Sequence, residues 1–183
     1  MKKIFINHYL LVFLLIISCQ FNNFETADKN IRFRYQIKPG NFLKLSKGHT
    51  YYEIENKNSK KTLIFIHGFS VPSYIWDDTF NSAVEKGYKS IRLDLYGRGY
   101  SSNLEIDYTD ELFASQVIEL MDELKIPKAT LIGLSNGGRI ISKIAYIKPE
   151  MVDKLIYVSA SSFQDHSPPL NKSVSGKEIN DFI

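Results

Sequence analysis

The stretch Ala129-Thr130-Leu131-Ile132-Gly133-Leu134-Ser135-Asn136-Gly137-Gly138 decides the fold. Its first six residues read as a buried strand. Residues 136–148 then place Ile140, Ile141, Ile144 and Ala145 on one helical face before Pro149 stops the pattern. Between the two elements, Gly133-Leu134-Ser135-Asn136-Gly137 matches G-x-S-x-G at the point where a strand turns directly into a helix. Such a turn holds its serine in a strained backbone conformation with the hydroxyl pointing outward, and side chains in place of the glycines would collide with neighbouring backbone. Chance produces one such match in a chain of this length about one time in twenty, and the strand and helix on either side lower that figure. Gly138 adds a second small residue where the helix has to pass close to the sheet.

Working outward, short β-rich runs alternate with longer helical patterns from about residue 41. Tyr51-Tyr52-Glu53-Ile54-Glu55 alternates, whereas Thr62-Leu63-Ile64-Phe65-Ile66 is continuously apolar, as a strand covered on both faces should be. Trp76, Phe80, Ala83 and Val84 fall at helical spacing before Gly87, and Ser90-Ile91-Arg92-Leu93 forms the next strand. After Thr109, the residues Phe113, Val117, Leu120, Met121 and Leu124 share a helical face, with Asp110 and Glu111 in the first turn where the helix dipole favours them. Leu155-Ile156-Tyr157-Val158-Ser159 is the last strand, and residues 161–183 carry no further strand pattern. The alternation predicts an α/β fold: a mostly parallel sheet covered by helices on both faces.

Two further segments lie at strand ends. His67-Gly68-Phe69 follows one strand; in an acyl-transfer site two backbone N–H groups must point at the developing oxyanion, and those of Phe69 and Asn136 are the natural pair. His67 invites assignment as general base, but a histidine at a strand end before glycine is better read as ordering the loop through its ring nitrogens. Asp94-Leu95-Tyr96-Gly97-Arg98-Gly99-Tyr100-Ser101 fails as a dinucleotide fingerprint, because Ser102 stands at the last glycine position and no helix follows at once. Asp94 and Arg98 are expected to knit that loop together.

With His67-Gly68, the D-x-x-G-x-G-x-S segment of residues 94–101 and the G-x-S-x-G turn at Ser135 in this order, the chain resembles the α/β-hydrolases of the serine type over roughly residues 41–160. The resemblance implies that Ser135 is the nucleophile, that the Phe69 and Asn136 N–H groups form the oxyanion hole, and that the substrate is a carboxylic ester or related small acyl compound. It also implies that no metal or organic cofactor takes part.

A serine hydroxyl needs a histidine to take its proton and a carboxylate to hold that histidine. In the family these follow the nucleophile in the order acid, then histidine. Only His166 follows Ser135 here, with Asp165, Glu178 and Asp181 as the acids after the last strand. Asp165 and His166 are the candidates on hand. They are adjacent in sequence, and His166 falls where a lid begins and not after a final strand. The expectation is therefore a domain that stops after its sixth family strand, lacking two strands, the acid and the base, with Leu155-Ile156-Tyr157-Val158 left as an exposed apolar edge.

The other end carries a leader. Lys2 and Lys3 precede an uncharged run over residues 9–17 that is shorter than the roughly 20 residues a spanning helix needs, and Ser18-Cys19 follows. Aliphatic and small residues before the lone cysteine resemble a bacterial lipobox, with Ile-Ile where the common pattern begins with leucine. The expected organisation is a signal peptide over 1–18, a lipid-anchored tether over 19–40 and the hydrolase domain over 41–183, with Cys19 acylated and the protein membrane-anchored in the bacterial envelope. Across 183 residues the net charge is +3, and removing Lys2 and Lys3 leaves +1, too little and too scattered for a nucleic-acid face. One cysteine excludes a disulfide framework and a Cys-based zinc site.

Three functions fit these features. The first is a lipid-anchored serine hydrolase whose chain is shortened and of low or no activity. The second is a non-catalytic lipoprotein that keeps a hydrolase-like pocket for binding. The third is a reduced enzyme that works with Asp165 and His166.

Overall fold

The structure, a computed structural model, describes residues 40–161. Cys19, Asp165 and His166 lie outside the described residues. Six strands form one sheet: β1 (Asn41–Lys44), β2 (His49–Glu55), β3 (Thr62–Ile66), β4 (Lys89–Leu93), β5 (Ala129–Leu134) and β6 (Val152–Val158). Their order is β1-β2-β4-β3-β5-β6. β1 and β2 are antiparallel to their neighbours, while β4, β3, β5 and β6 are mutually parallel. Three helices connect the parallel strands: α1 (Asp77–Glu85), preceded by a 3-10 turn at Ser73–Trp76, then α2 (Asp110–Glu123) and α3 (Asn136–Ile147).

The continuous apolar runs are explained by the two layers they separate. Along β3, Ile64 and Ile66 pack into the layer that holds Phe113, Val117, Leu120 and Met121 of α2 with Ile140, Ile141 and Ile144 of α3. Phe65 points the other way, to Trp76, Phe80 and Ala83. In β5, Leu131 and Ile132 divide between the same two layers. A strand with helices on both faces has no polar side to show, and each fully buried aliphatic side chain contributes about 1.5–3 kcal/mol.

Helix starts follow local chemistry. Thr109 caps α2, its hydroxyl accepting the Leu112 N–H at 3.2 Å, and Asp110 and Glu111 occupy the first turn. At the other flank β6 pairs only with β5 among the described residues, and its Ile156, Tyr157 and Val158 are 44%, 45% and 36% exposed. Among the described residues that apolar edge faces no further strand.

Candidate functional site

The strand order reverses around β3, so the loops leaving β3 and β5 open a crevice at the carboxyl ends of the strands, where ligands settle in open α/β sheets. His67-Gly68-Phe69 leaves β3 and Ser135 leaves β5. Ser135 stands between β5 and α3 at φ 52°, ψ −118°, a backbone conformation that L-residues rarely adopt. Three hydrogen bonds hold it there. Its N–H donates to the Val158 carbonyl at 3.0 Å, and its carbonyl accepts from the Gly138 N–H at 2.9 Å and the Ser161 N–H at 3.1 Å.

The flanking glycines permit the turn. A Cβ on Gly133 would strike the Gly137 carbonyl, and one on Gly137 would lie 2.5 Å from the Ile66 carbonyl oxygen. Gly68 sits directly against the serine, since a Cβ there would come within 3.2 Å of Ser135 Cβ and 3.7 Å of its Oγ. The β3 loop and the Ser135 turn are thus in contact. Asn136 begins α3, where the first N–H groups have no intrahelical partner, and the Phe69 N–H is engaged by no other described residue.

Arg98 ties the Phe69 loop to the loop after β4. Its Nε donates to the Phe69 carbonyl at 2.9 Å, one terminal nitrogen donates to the Tyr96 carbonyl at 3.2 Å, and its guanidinium lies 4.7 Å from the centre of the Phe69 ring. The sequence pointed to Arg98 as a loop residue, but its hold on Phe69 was missed. The two residues are 29 positions apart and no local pattern connects them. Beside them opens a cleft of about 500 Å³ lined by Phe69, Arg98, Tyr108, Phe113, Asn136 and Arg139. Asp94 anchors the same loop from below, its two carboxylate oxygens accepting the Ser73 and Tyr100 N–H groups at 2.8 Å each.

His67 is fully buried and fully used. Its Nε2 accepts the Leu95 N–H at 3.0 Å, so the ring proton is on Nδ1 and donates to the Gly68 carbonyl at 2.7 Å. This neutral ring orders the loop, and no nitrogen is left to take a proton from Ser135. Burial holds its pKa below the ordinary 6.5, opposed by the Gly68 bond and the Asp94 charge. Protonation would cost the Leu95 bond. Because the folded value lies below the unfolded one, His67 contributes its full stability above about pH 6.5 and loses it as the pH falls from there toward the folded value, by up to about 1.4 kcal/mol per pH unit. Urea midpoints should therefore drop between pH 7 and 5, and His67→Gln should flatten that part of the profile.

The only other described histidine, His49, is on β2, separated from β5 by β4 and β3. Among the described residues no group of three or more His, Cys, Asp or Glu side chains is gathered to hold a metal. The described part of the crevice therefore holds Ser135 on its strained turn with backbone N–H groups nearby, and its one histidine, His67, has both ring nitrogens engaged.

A family model described as alpha/beta hydrolase fold matches residues 61–177. The chain belongs to the α/β-hydrolase fold family. Among its relatives in this family, an uncharacterized hydrolase of Bacillus subtilis, YugF, is 31% identical over 123 residues, covering 66% of this chain and 44% of its own length. A non-heme chloroperoxidase of Kitasatospora aureofaciens is 31% identical over 78 residues, covering 43% of this chain and 28% of its own. The solved structure of an esterase from Exiguobacterium antarcticum superposes with a TM-score of 0.62 at 28% identity, over 66% of this chain and 45% of the esterase. The chain spans less than half the length of the curated relatives it matches.

Proposed function

We propose that the chain is the nucleophile-bearing part of a serine hydrolase that cleaves a carboxylic ester or related acyl compound. The observation that carries this reading is Ser135 at φ 52° between β5 and α3 with the His67-Gly68-Phe69 loop against it. On this reading Ser135 Oγ attacks the acyl carbon, its proton passes to a histidine, and the carbonyl oxygen becomes an anion held by the Phe69 and Asn136 N–H groups. The leaving alcohol departs with that proton, and water then releases the acid by the same route in reverse. The esterase among the structural relatives supports an ester as the acyl class.

The acid and the base belong, on this proposal, to sequence beyond residue 183, since His67 is committed to its loop and Asp165 and His166 are neighbours in sequence that would have to act together on one serine. The open flank of β6 and the greater length of the relatives support the same view. The chain reaches its substrate as an envelope lipoprotein, with Cys19 acylated after removal of residues 1–18.

The test is fluorophosphonate labelling with mass mapping of the modified peptide, in the 183-residue chain and in the product of the coding sequence read onward past codon 183. Label on Ser135 in the longer product is expected. Label on a different serine, or none in the longer product, overturns the assignment.

A further inference from the structure

The four parallel strands all begin on the sheet edge opposite Ser135, and this edge gathers lysines. Lys60 and Lys61 precede β3, Lys128 precedes β5 and Lys154 lies near the start of β6. These four line one cleft of about 350 Å³ with Thr62 and Thr130 in its wall and Asp153 as its one acid. All four are exposed, and none makes an ion pair among the described residues. Cations near the Ser135 edge are placed differently. Arg139 pairs with Asp110 at 2.9 Å and Lys143 with Glu111 at 2.6 Å, while Arg98 is stacked on Phe69. Two of the cations beside the serine are paired with acids, whereas the four lysines at the far edge have no acid partner among the described residues.

We propose that this lysine edge is an interaction surface for anionic phospholipid headgroups. Adjacent uncompensated ammonium groups attract a layer of negative charge more strongly than a single anion, and exposed lysines on several strand starts present a strip, not an enclosed pocket. The proposal rests on the anchored reading for delivery alone. The 21 residues between Cys19 and Asn41 reach at most about 70 Å, so an acylated Cys19 keeps the edge at high effective concentration near the bilayer. β5 spans about 20 Å, which sets the Ser135 crevice about that much farther from the headgroups and turns it toward the aqueous side. The substrate of such an arrangement is a solute and not a bilayer lipid.

The full chain is sedimented with vesicles of phosphatidylcholine, with and without phosphatidylglycerol, at low and high salt. The leader, with Lys2 and Lys3, is the same in every variant, so the lysine edge is read from how the preference changes between variants. Partitioning should favour the anionic vesicles roughly tenfold or more at low salt, and the preference should vanish near 1 M salt, where the Debye length is about 3 Å. Lys61→Gln with Lys128→Gln should remove most of the preference, whereas Lys44→Gln with Lys47→Gln, an equal change of net charge on the other side of the sheet, should keep it. Equal losses in the two double variants would reduce the effect to net charge and overturn the proposal. So would indifference to phosphatidylglycerol, or release by inorganic phosphate at constant ionic strength, which would mark a site for soluble phosphate. Absence of diacylglycerol on Cys19, read separately by mass, would refute the anchor while leaving a vesicle preference intact.

Discussion

Ser135→Ala should lower the turnover of a simple aryl ester by roughly four to six orders of magnitude in a product that carries its acid and base, and by less than about tenfold in the 183-residue chain. The contrast follows from how a triad fails. Nucleophile, base and acid act as one device, so losing either the serine or the histidine costs about as much as losing the whole set. On the proposed reading the 183-residue chain lacks its base and has little left to lose at Ser135. The proposed oxyanion donors are backbone groups that alanine leaves in place, so the residual rate over water should survive in both backgrounds. A millionfold loss already in the 183-residue chain would place a working base within it and return Asp165 and His166 to consideration. Stability gives an independent reading of the same substitution. The Ser135 hydroxyl makes no hydrogen bond among the described residues, and alanine keeps the φ of 52°, so the melting temperature should hardly move while activity collapses.

Much of this site was legible because its parts are local. The apolar runs of β3 and β5, the α3 pattern and the glycines around Ser135 each state their structure within a dozen residues, and the strand-turn-helix context gave G-x-S-x-G its meaning. β1 was not legible: Asn41-Phe42-Leu43-Lys44 is four residues long with only its middle pair half-buried, so neither period nor composition marks it. It exists because β2 offers it an edge.

The polar core behind the loops was hidden for a different reason. Gln116 lies on the apolar face of α2, fully buried, where the periodicity shows only a break. Its amide oxygen accepts the Tyr96 N–H at 2.9 Å, and its amide nitrogen donates to Thr50 Oγ1 at 2.9 Å and the Asp94 carbonyl at 3.1 Å. These partners stand 20, 66 and 22 positions away. A side chain that answers three groups on two other segments leaves no trace in its own neighbourhood. Ser101 acts similarly, accepting the Tyr51 N–H at 3.0 Å and donating to the Asp94 carbonyl at 2.5 Å. The sequence assigned Asp94 and Arg98 to loop structure, while the number of segments joined there emerges only in three dimensions.

That junction makes Asp94→Ala the most damaging substitution expected for the fold. Asp94 is 1% exposed and its carboxylate receives the Ser73 and Tyr100 N–H groups, so alanine removes the acceptor of two donors, one at buried Ser73 in the 3-10 turn and one in the glycine-rich loop. Each buried donor without an acceptor costs about 1–3 kcal/mol, so a loss of roughly 3–5 kcal/mol is expected against a typical total of about 5–15 kcal/mol. Asn should rescue little. One of its atoms accepts as the carboxylate did, but the other becomes an NH₂ facing a backbone N–H, donor against donor. Urea denaturation should place Asp94→Asn close to Asp94→Ala, and amide exchange at Ser73 and Tyr100 should quicken in both. An Asn variant as stable as the wild type would mean that one of the two bonds contributes nothing. The damage should also spread toward the crevice, because Arg98 leaves this loop to hold the Phe69 carbonyl. Once the loop loosens, Phe69 loses the guanidinium that holds its carbonyl, one peptide along from the N–H it would present, so a structural carboxylate reaches the proposed oxyanion hole through one arginine.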